Sequence, residues 1–120
     1  MLLCVPASSA YLGVLRTATA GLAARMHFTL DEIEDLRIAV DEACAILLAL
    51  TPDDSELTCR FVVLPDVLTV ETSILTASNE AGLPPGESFA WQVLSALTDE
   101  VSALAVDGRA TIRLTKRRPA

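Results

Sequence analysis

One stretch decides the fold: residues 29–48 read TLDEIEDLRIAVDEACAILL. Thr29 followed by Glu32 is a capping box, in which each side chain accepts a hydrogen bond from the other residue's backbone N–H. The carboxylates that follow Thr29 lie where the positive end of the helix dipole favours them. The helical pattern stops at Thr51 and Pro52, because proline cannot continue a helix. The predicted apolar stripe of this long helix consists of Ile33, Leu36, Val40, Ala43, Cys44, Leu47 and Leu48.

The residues before this helix predict a strand and a first helix. Leu2–Val5 is a short apolar run that is closed by Pro6. Between Tyr11 and Met26 apolar residues recur at helical spacing. That stripe consists of Leu12, Leu15, Thr19, Leu22 and Met26. Two glycines, Gly13 and Gly21, interrupt the helix, and glycine in a helix interior sometimes marks the close approach of another backbone.

The residues after the long helix begin with a predicted hairpin. Leu57–Leu64 and Val67–Leu75 are rich in strand-forming residues, and a Pro-Asp turn separates them. Thr76–Glu87 contains two prolines and two glycines near its end, and this composition predicts a loop. A loop of this length is unusual in a compact domain, so we interpret it as functional or as the remnant of a functional lid.

A short helix and a second hairpin complete the pattern. Ser88 caps a helix that runs to about Leu97, and Val101–Val106 and Ala110–Thr115 flank Asp107-Gly108, a dipeptide that favours a tight hairpin turn. Helices grouped against a mostly antiparallel, mixed sheet predict an α+β two-layer sandwich with the helices on one face. The length of 120 residues suits one domain that spans residues 1–120.

The charge pattern favours a protein partner over nucleic acid. Nine Lys and Arg stand against sixteen Asp and Glu, which gives a formal net charge of −7, whereas phosphate binding needs clustered positive charge. Only Lys116, Arg117 and Arg118 cluster, and we interpret them as a solvated tail. An acidic body of this kind suits a basic protein partner.

The N-terminal residues and the cysteines predict a cytoplasmic protein without a metal centre. Met1–Pro6 is apolar but has no basic residues before it, so it fits neither a secretion signal nor a membrane span. Cys4, Cys44 and Cys59 are odd in number and lie far apart, without the spacing of metal ligands. We therefore expect three buried free thiols and no structural zinc.

Four segments, taken together, match the pattern of a known family. They read VPA at residues 5–7, GVLR at 13–16, DEIEDLRIAVDEAC at 31–44 and FAWQVLSALTDEV at 89–101. In sequence and spacing they resemble the anti-sigma factors and serine-protein kinases of the RsbW and SpoIIAB family, and the back half is most similar to the UsfX-type members. The resemblance implies a GHKL (Bergerat) ATPase-like fold and a homodimer. It also implies capture of a SigF-like stress or sporulation sigma factor, with release by a STAS-type antagonist.

The nucleotide motifs of that family are only partly present here. Active members carry a Glu that activates the substrate hydroxyl and, four residues later, an Asn that holds magnesium; the matching positions are Glu42 and Ile46. Magnesium binds oxygen ligands, which isoleucine lacks. The adenine-binding Asp of the family corresponds to Ile74, and the phosphate-binding glycine loop to PPGE at residues 84–87, whose prolines have no N–H to donate. The resemblance therefore implies a degenerate ATP site, and we expect no cofactor.

Other residues that often carry chemistry have simpler interpretations. His27 is the single histidine, has no partner motif, and is predicted to be exposed between helices. Without a second histidine or a matching motif, no Ser/His/Asp or Cys/His arrangement can be assembled. Phe89 and Trp91 are predicted to be core anchors of the short helix. Glu42 alone is more often a solvated or salt-bridged residue than a base.

Three functions stay open from the sequence. The first is an anti-sigma factor that binds and inhibits its sigma factor by protein contact alone, without nucleotide and without enzyme activity. The second is a kinase that still binds Mg-ATP, through replacement ligands, and phosphorylates a Ser on the antagonist. The third is a scaffold that kept the fold and the dimer surface only.

The candidate contact surface lies on the first helix. Arg16 matches an arginine with which family members contact both sigma factor and antagonist, and Tyr11, Leu12 and Leu15 lie near it in the sequence. Arginine supplies a fixed positive charge and several donors. The alternative is a surface arginine paired with a nearby carboxylate, which would contribute only about 0–1 kcal/mol.

Overall fold

The computed structural model describes residues 1–50, 55–76 and 88–118. The order of elements is the predicted one. The bounds are β1 Leu2–Pro6, α1 Leu12–Arg25, α2 Leu30–Leu48, β2 Glu56–Val63, β3 Val67–Leu75, α3 Phe89–Leu97, β4 Glu100–Val106 and β5 Arg109–Arg117, with a short 3-10 turn at Ser9–Tyr11 before α1. The predicted loop between β3 and α3 lies outside the described residues after Thr76, as does the predicted helix stop at Thr51 and Pro52.

The described strands form one sheet in the order β1-β2-β3-β5-β4. Each pairing is antiparallel, so the α+β prediction is confirmed, while the described residues contain no parallel pair of the kind that a mixed sheet would have. The helices form the second layer. Helix α2 is its centre, because it packs against β3, β5 and both other helices. In the part of the chain that the structure describes, no helix combines the length and hydropathy needed to cross a bilayer.

The predicted caps and turn are present in the structure. Thr29 Oγ1 accepts from the Glu32 backbone N–H at 3.2 Å, and Glu32 Oε1 accepts from the Thr29 N–H at 2.8 Å, which completes the capping box. Ser88 caps α3 through the backbone N–H of Trp91. Asp107 and Gly108 both have positive φ, 53° and 75°, as the tight hairpin turn between β4 and β5 requires.

The two faces of the sheet differ in polarity because successive side chains of a strand point to opposite sides. The inner face packs under the helices with residues such as Phe61, Val70 and Ile112, all nearly or fully buried. On the outer face, Glu71 of β3 lies between arginines of the neighbouring strands. It is 3.7 Å from Arg60 and 3.6 Å from Arg113. A polar outer face is consistent with a two-layer architecture.

Two of the burial predictions are wrong. Cys4 is exposed, because Val5 points into the core and its neighbour on the strand must therefore point outward. Phe89 is not a core anchor, since it is the first residue of α3 and 80% exposed. Trp91 is partly buried and packs against the core. His27 is exposed, as predicted, and ends the turn between α1 and α2 with a positive φ of 63°.

Candidate functional site: the Arg16 surface and the remnant nucleotide site

Arg16 of α1 pairs with a carboxylate of α2. Its Nε lies 2.9 Å from Asp41 Oδ1, and the two side chains are 40% and 38% exposed. The two atoms themselves are shielded from solvent, and neither makes an aligned hydrogen bond within the described residues. They therefore interact as charges. The inner edge of the guanidinium is buried between the helices, while much of the side chain reaches the surface.

Asp41 is in an environment that opposes its charge. Burial raises the pKa of its carboxyl above 3.8, and this effect exceeds the opposing attraction of Arg16 and Arg37; Glu34 adds a further, smaller rise. A carboxyl whose pKa is raised by folding holds its proton more tightly in the folded chain. Its contribution to stability is thus fully present below pH 3.8 and is lost as the pH rises through the folded pKa.

The remaining charges near this pair belong to α2. Arg37 Nη1 donates to Glu34 Oε2 at 3.1 Å, and both side chains are exposed. Because Arg37 is held by Glu34, the cation in direct contact with Asp41 is Arg16. The interpretation of Arg16 as a residue paired with a nearby carboxylate thus agrees with the geometry, and the exposed part of the guanidinium still leaves a contact role open.

The other residues of the predicted contact surface do not share one location. Leu15 is fully buried, so its side chain cannot touch a partner in this structure, and its place in the predicted surface is wrong. Leu15 belongs to the apolar stripe of α1, and that stripe faces the core. Leu12 is half-buried and packs against the core. Tyr11 is exposed at the start of α1, but at 100° per residue it lies about 140° around the helix from Arg16.

A shallow apolar groove of about 840 Å³ runs between α1 and the edge strand β1. Met1 and Leu3 of the β1 segment line one side, and small side chains of α1 line the other. A Cβ placed on Gly13 or Gly21 would meet nothing within 4 Å. In the described residues, no other backbone approaches these glycines closely. The sequence did not predict this groove, although Gly13 and Gly21, which line it, are unusual residues for a helix interior.

Two positions that the resemblance assigns to nucleotide ligands hold apolar residues that pack in the core. Ile74 is fully buried in β3, and Ile46, half-buried on α2, packs against the same core cluster. Glu42 is one helical turn before Ile46 and is half-buried. In the described residues, no three His, Cys, Asp or Glu side chains lie close enough to hold a metal ion. The predicted phosphate-loop remnant at 84–87 falls outside them.

Comparison with known proteins shows which proteins this chain resembles. A serine-protein kinase RsbW of Bacillus subtilis (strain 168) is 48% identical over 69 residues, which cover 55% of this chain and 43% of the relative. The anti-sigma-F factor RsbW of Mycobacterium tuberculosis (strain H37Rv) is 38% identical over 100 residues, which cover 82% of this chain and 56% of the relative. The chain is thus similar in sequence to RsbW proteins over most of its length. It spans about half the length of the curated relatives that it matches.

A solved structure supports the fold of this RsbW-like chain. The crystal structure of the RsbU and RsbW domains of a Mycobacterium tuberculosis protein matches all of this chain and 34% of its own, with a TM-score of 0.65 and 17% identity. The predicted GHKL-like fold is therefore confirmed. A scan against protein-family models finds no match.

Proposed function

We propose that this RsbW-like chain is an anti-sigma factor, which binds and inhibits a SigF-like sigma factor by protein contact. The name of the Mycobacterium relative, anti-sigma-F factor, supports this function, and so does the negative charge of the chain, which suits a basic partner. The observation that carries the proposal is the Arg16 side chain, which is 40% exposed and contacts Asp41 through its Nε. This interaction would take place in the cytoplasm, where RNA polymerase works.

The chemistry of Arg16 suits an interface anchor. Arginine presents its donors in a planar fork, and the contact with Asp41 is at Nε. The two terminal nitrogens can then donate to a carboxylate or to backbone carbonyls of the partner. Arginine is enriched among the few residues that carry most of the binding energy of an interface. The same exposed edge would serve a STAS-type antagonist, whose binding would displace the sigma factor by competition.

We further propose that the binding needs no nucleotide. A hard oxygen ligand for magnesium is replaced by Ile46, and Ile74 closes the adenine-binding position with a buried apolar side chain. The second candidate is a kinase that binds Mg-ATP, because Glu42 is retained and the Bacillus relative is named a serine-protein kinase. The two functions differ in whether magnesium-dependent ATP binding occurs.

Homodimerisation is proposed through the groove between α1 and β1. An edge strand carries unpaired backbone N–H and C=O groups, which can pair with another chain, and the small residues of α1 allow a second helix to approach closely. Val14 lies in the groove and is 48% exposed. Val14→Glu should therefore give a monomer by light scattering without unfolding, whereas Leu104→Glu on the outer face of β4 should not. A Val14→Glu variant that stays dimeric would move the interface elsewhere.

The central test measures affinity for a purified SigF-class sigma factor of the same organism by calorimetry. Arg16→Ala should weaken binding at least about thirtyfold, because truncating an interface anchor commonly costs about 2 kcal/mol or more. The melting temperature should change little, since a partly exposed pair adds little stability. Arg25→Ala is the matched control, because Arg25 is exposed on the same helix, nine residues away and about 180° around it. Equal affinity of the Arg16→Ala variant and the parent would contradict the proposed surface.

A further inference from the structure

In the Arg16–Asp41 pair, the two contacting atoms are buried while the rest of each side chain is partly exposed. Arg16 Nε and Asp41 Oδ1 are fully shielded, yet each side chain as a whole is about two-fifths exposed. Asp41 thus contacts the guanidinium on the side that faces the helices, and the exposed part of the Arg16 side chain lies on the opposite side. This contact restricts the directions in which the guanidinium can point, whereas an arginine free in solvent has no such restriction.

Stability does not explain this pair well. Burial raises the pKa of Asp41 even though Arg16 is 2.9 Å away. Desolvation thus affects this pKa more than Arg16 does, and an ion pair whose side chains are about two-fifths exposed contributes little stability. Neither atom makes an aligned hydrogen bond that would offset the cost. A pair that contributes little stability still constrains the direction in which Arg16 points.

We propose that Asp41 is a positioning residue for partner binding, which holds Arg16 by its Nε edge so that the two terminal nitrogens face the partner. This inference rests on the proposed function, in which Arg16 contacts the sigma factor. Fixing a long side chain before binding removes part of the ordering cost that association otherwise carries. The partner group that such a fork fits is a carboxylate, or a pair of carbonyls, presented edge-on.

The charges around Asp41 make a pH profile informative. Arg16 faces it from α1, and Arg37 and Glu34 face it from α2; the buried thiol of Cys44 also lies near enough to feel its charge. Arginine stays charged throughout the accessible range. Protonation of Asp41 should therefore release Arg16 without discharging it. Asp41→Asn makes the same change at every pH while keeping the shape of the side chain.

The experiment measures the dissociation constant of the same sigma factor at neutral pH and at decreasing pH. Asp41→Asn should weaken binding about threefold to tenfold at neutral pH, with an unchanged or higher melting temperature. The ratio between variant and parent should fall towards one as Asp41 is protonated in the parent. Asp35→Asn is the matched control, because Asp35 is on the same helix, is 41% exposed and pairs with Lys116 at 3.8 Å; it should bind like the parent.

A double variant separates the two proposals. In the Arg16→Ala background, Asp41→Asn should cause no further loss, because Asp41 acts only through Arg16. If Arg16→Ala weakens binding while Asp41→Asn binds as tightly as the parent or more tightly, the positioning role is overturned and the proposed function stands. If Arg16→Ala itself has no effect, Arg16 is outside the interface and both are overturned. A loss in Asp41→Asn that persists at low pH would indicate a structural defect and would also overturn the positioning role.

Discussion

Native-state thiol labelling should modify one cysteine rapidly and leave two protected. Cys4 points outward from the edge strand β1, whereas Cys44 and Cys59 are completely buried. The perturbation is an excess of Ellman's reagent near pH 8, with the release of the coloured thiolate followed over time. The prediction concerns both the number of fast thiols and the rate of the slow ones.

The protection of the buried thiols has a chemical part that can be worked out from the structure. Only the thiolate attacks the reagent, and burial raises the pKa of Cys59 from 9.0 to about 12. A difference of about three units lowers the thiolate fraction near pH 8 about a thousandfold. Burial raises the pKa of Cys44 further still. Exclusion of the reagent from the core adds to this, so labelling of both should require opening of the fold.

The assay distinguishes the three thiols without structural assumptions. The native chain should release one equivalent quickly, and the chain unfolded in guanidinium chloride should release three. Cys4→Ser should abolish the fast phase and leave the melting temperature nearly unchanged, because the side chain is exposed. A fast equivalent in the native Cys4→Ser variant would refute the reasoning, since it would mean that α2 or β2 faces an open cavity.

Three further outcomes follow from the structure. Calorimetry with ATP should detect no magnesium-dependent binding in the micromolar range, because Ile46 and Ile74 provide neither a metal ligand nor an adenine contact; such binding would instead favour the kinase. The free energy of unfolding should decline as the pH rises from 9 towards 12, because the raised pKa of Cys59 makes the folded chain hold the thiol proton to higher pH than the unfolded chain does. The slope due to Cys59 alone is at most about 1.4 kcal/mol per pH unit, and Cys59→Ala should reduce it in denaturant titrations. Thr29→Ala should cost about 1 kcal/mol and lower the melting temperature by about 4 °C in circular dichroism, because it removes the cap of α2, and an unchanged melting temperature would show that the capping box is dispensable.

The features that the sequence predicted well are those set by nearby residues. The capping box at Thr29 and Glu32, the Ser88 cap and the Asp107-Gly108 turn each depend on residues a few positions apart, and each is present. The wrong predictions concern which side of an element faces the core. A short strand such as β1 can present either alternate set of residues, and only its pairing with β2 decided that Val5 points inward and Cys4 outward.

The candidate site was predictable only in part for the same reason. Resemblance indicated Arg16, and its position on α1 followed from helical spacing, but its carboxylate partner lies 25 residues later on another helix. No local rule pairs those positions, because the contact depends on how α1 packs against α2. Leu15 shows the converse. Its spacing predicted a helix correctly, but the apolar stripe of that helix packs against the core. Leu15 therefore cannot also face a partner.

The place of β5 in the sheet matters when the chain is being synthesised. It is the last of the described strands to be made, yet it lies between β3 and β4 and contributes Ile112 and Leu114 to the core. Among the described strands, β4 pairs with β5 alone. While the ribosome has not yet released residues 109–117, β4 has no strand to pair with and part of α2 has no sheet beneath it. The nascent chain must therefore carry an incomplete apolar surface until residues 109–117 have left the ribosome, and a surface of this kind favours aggregation while it is exposed.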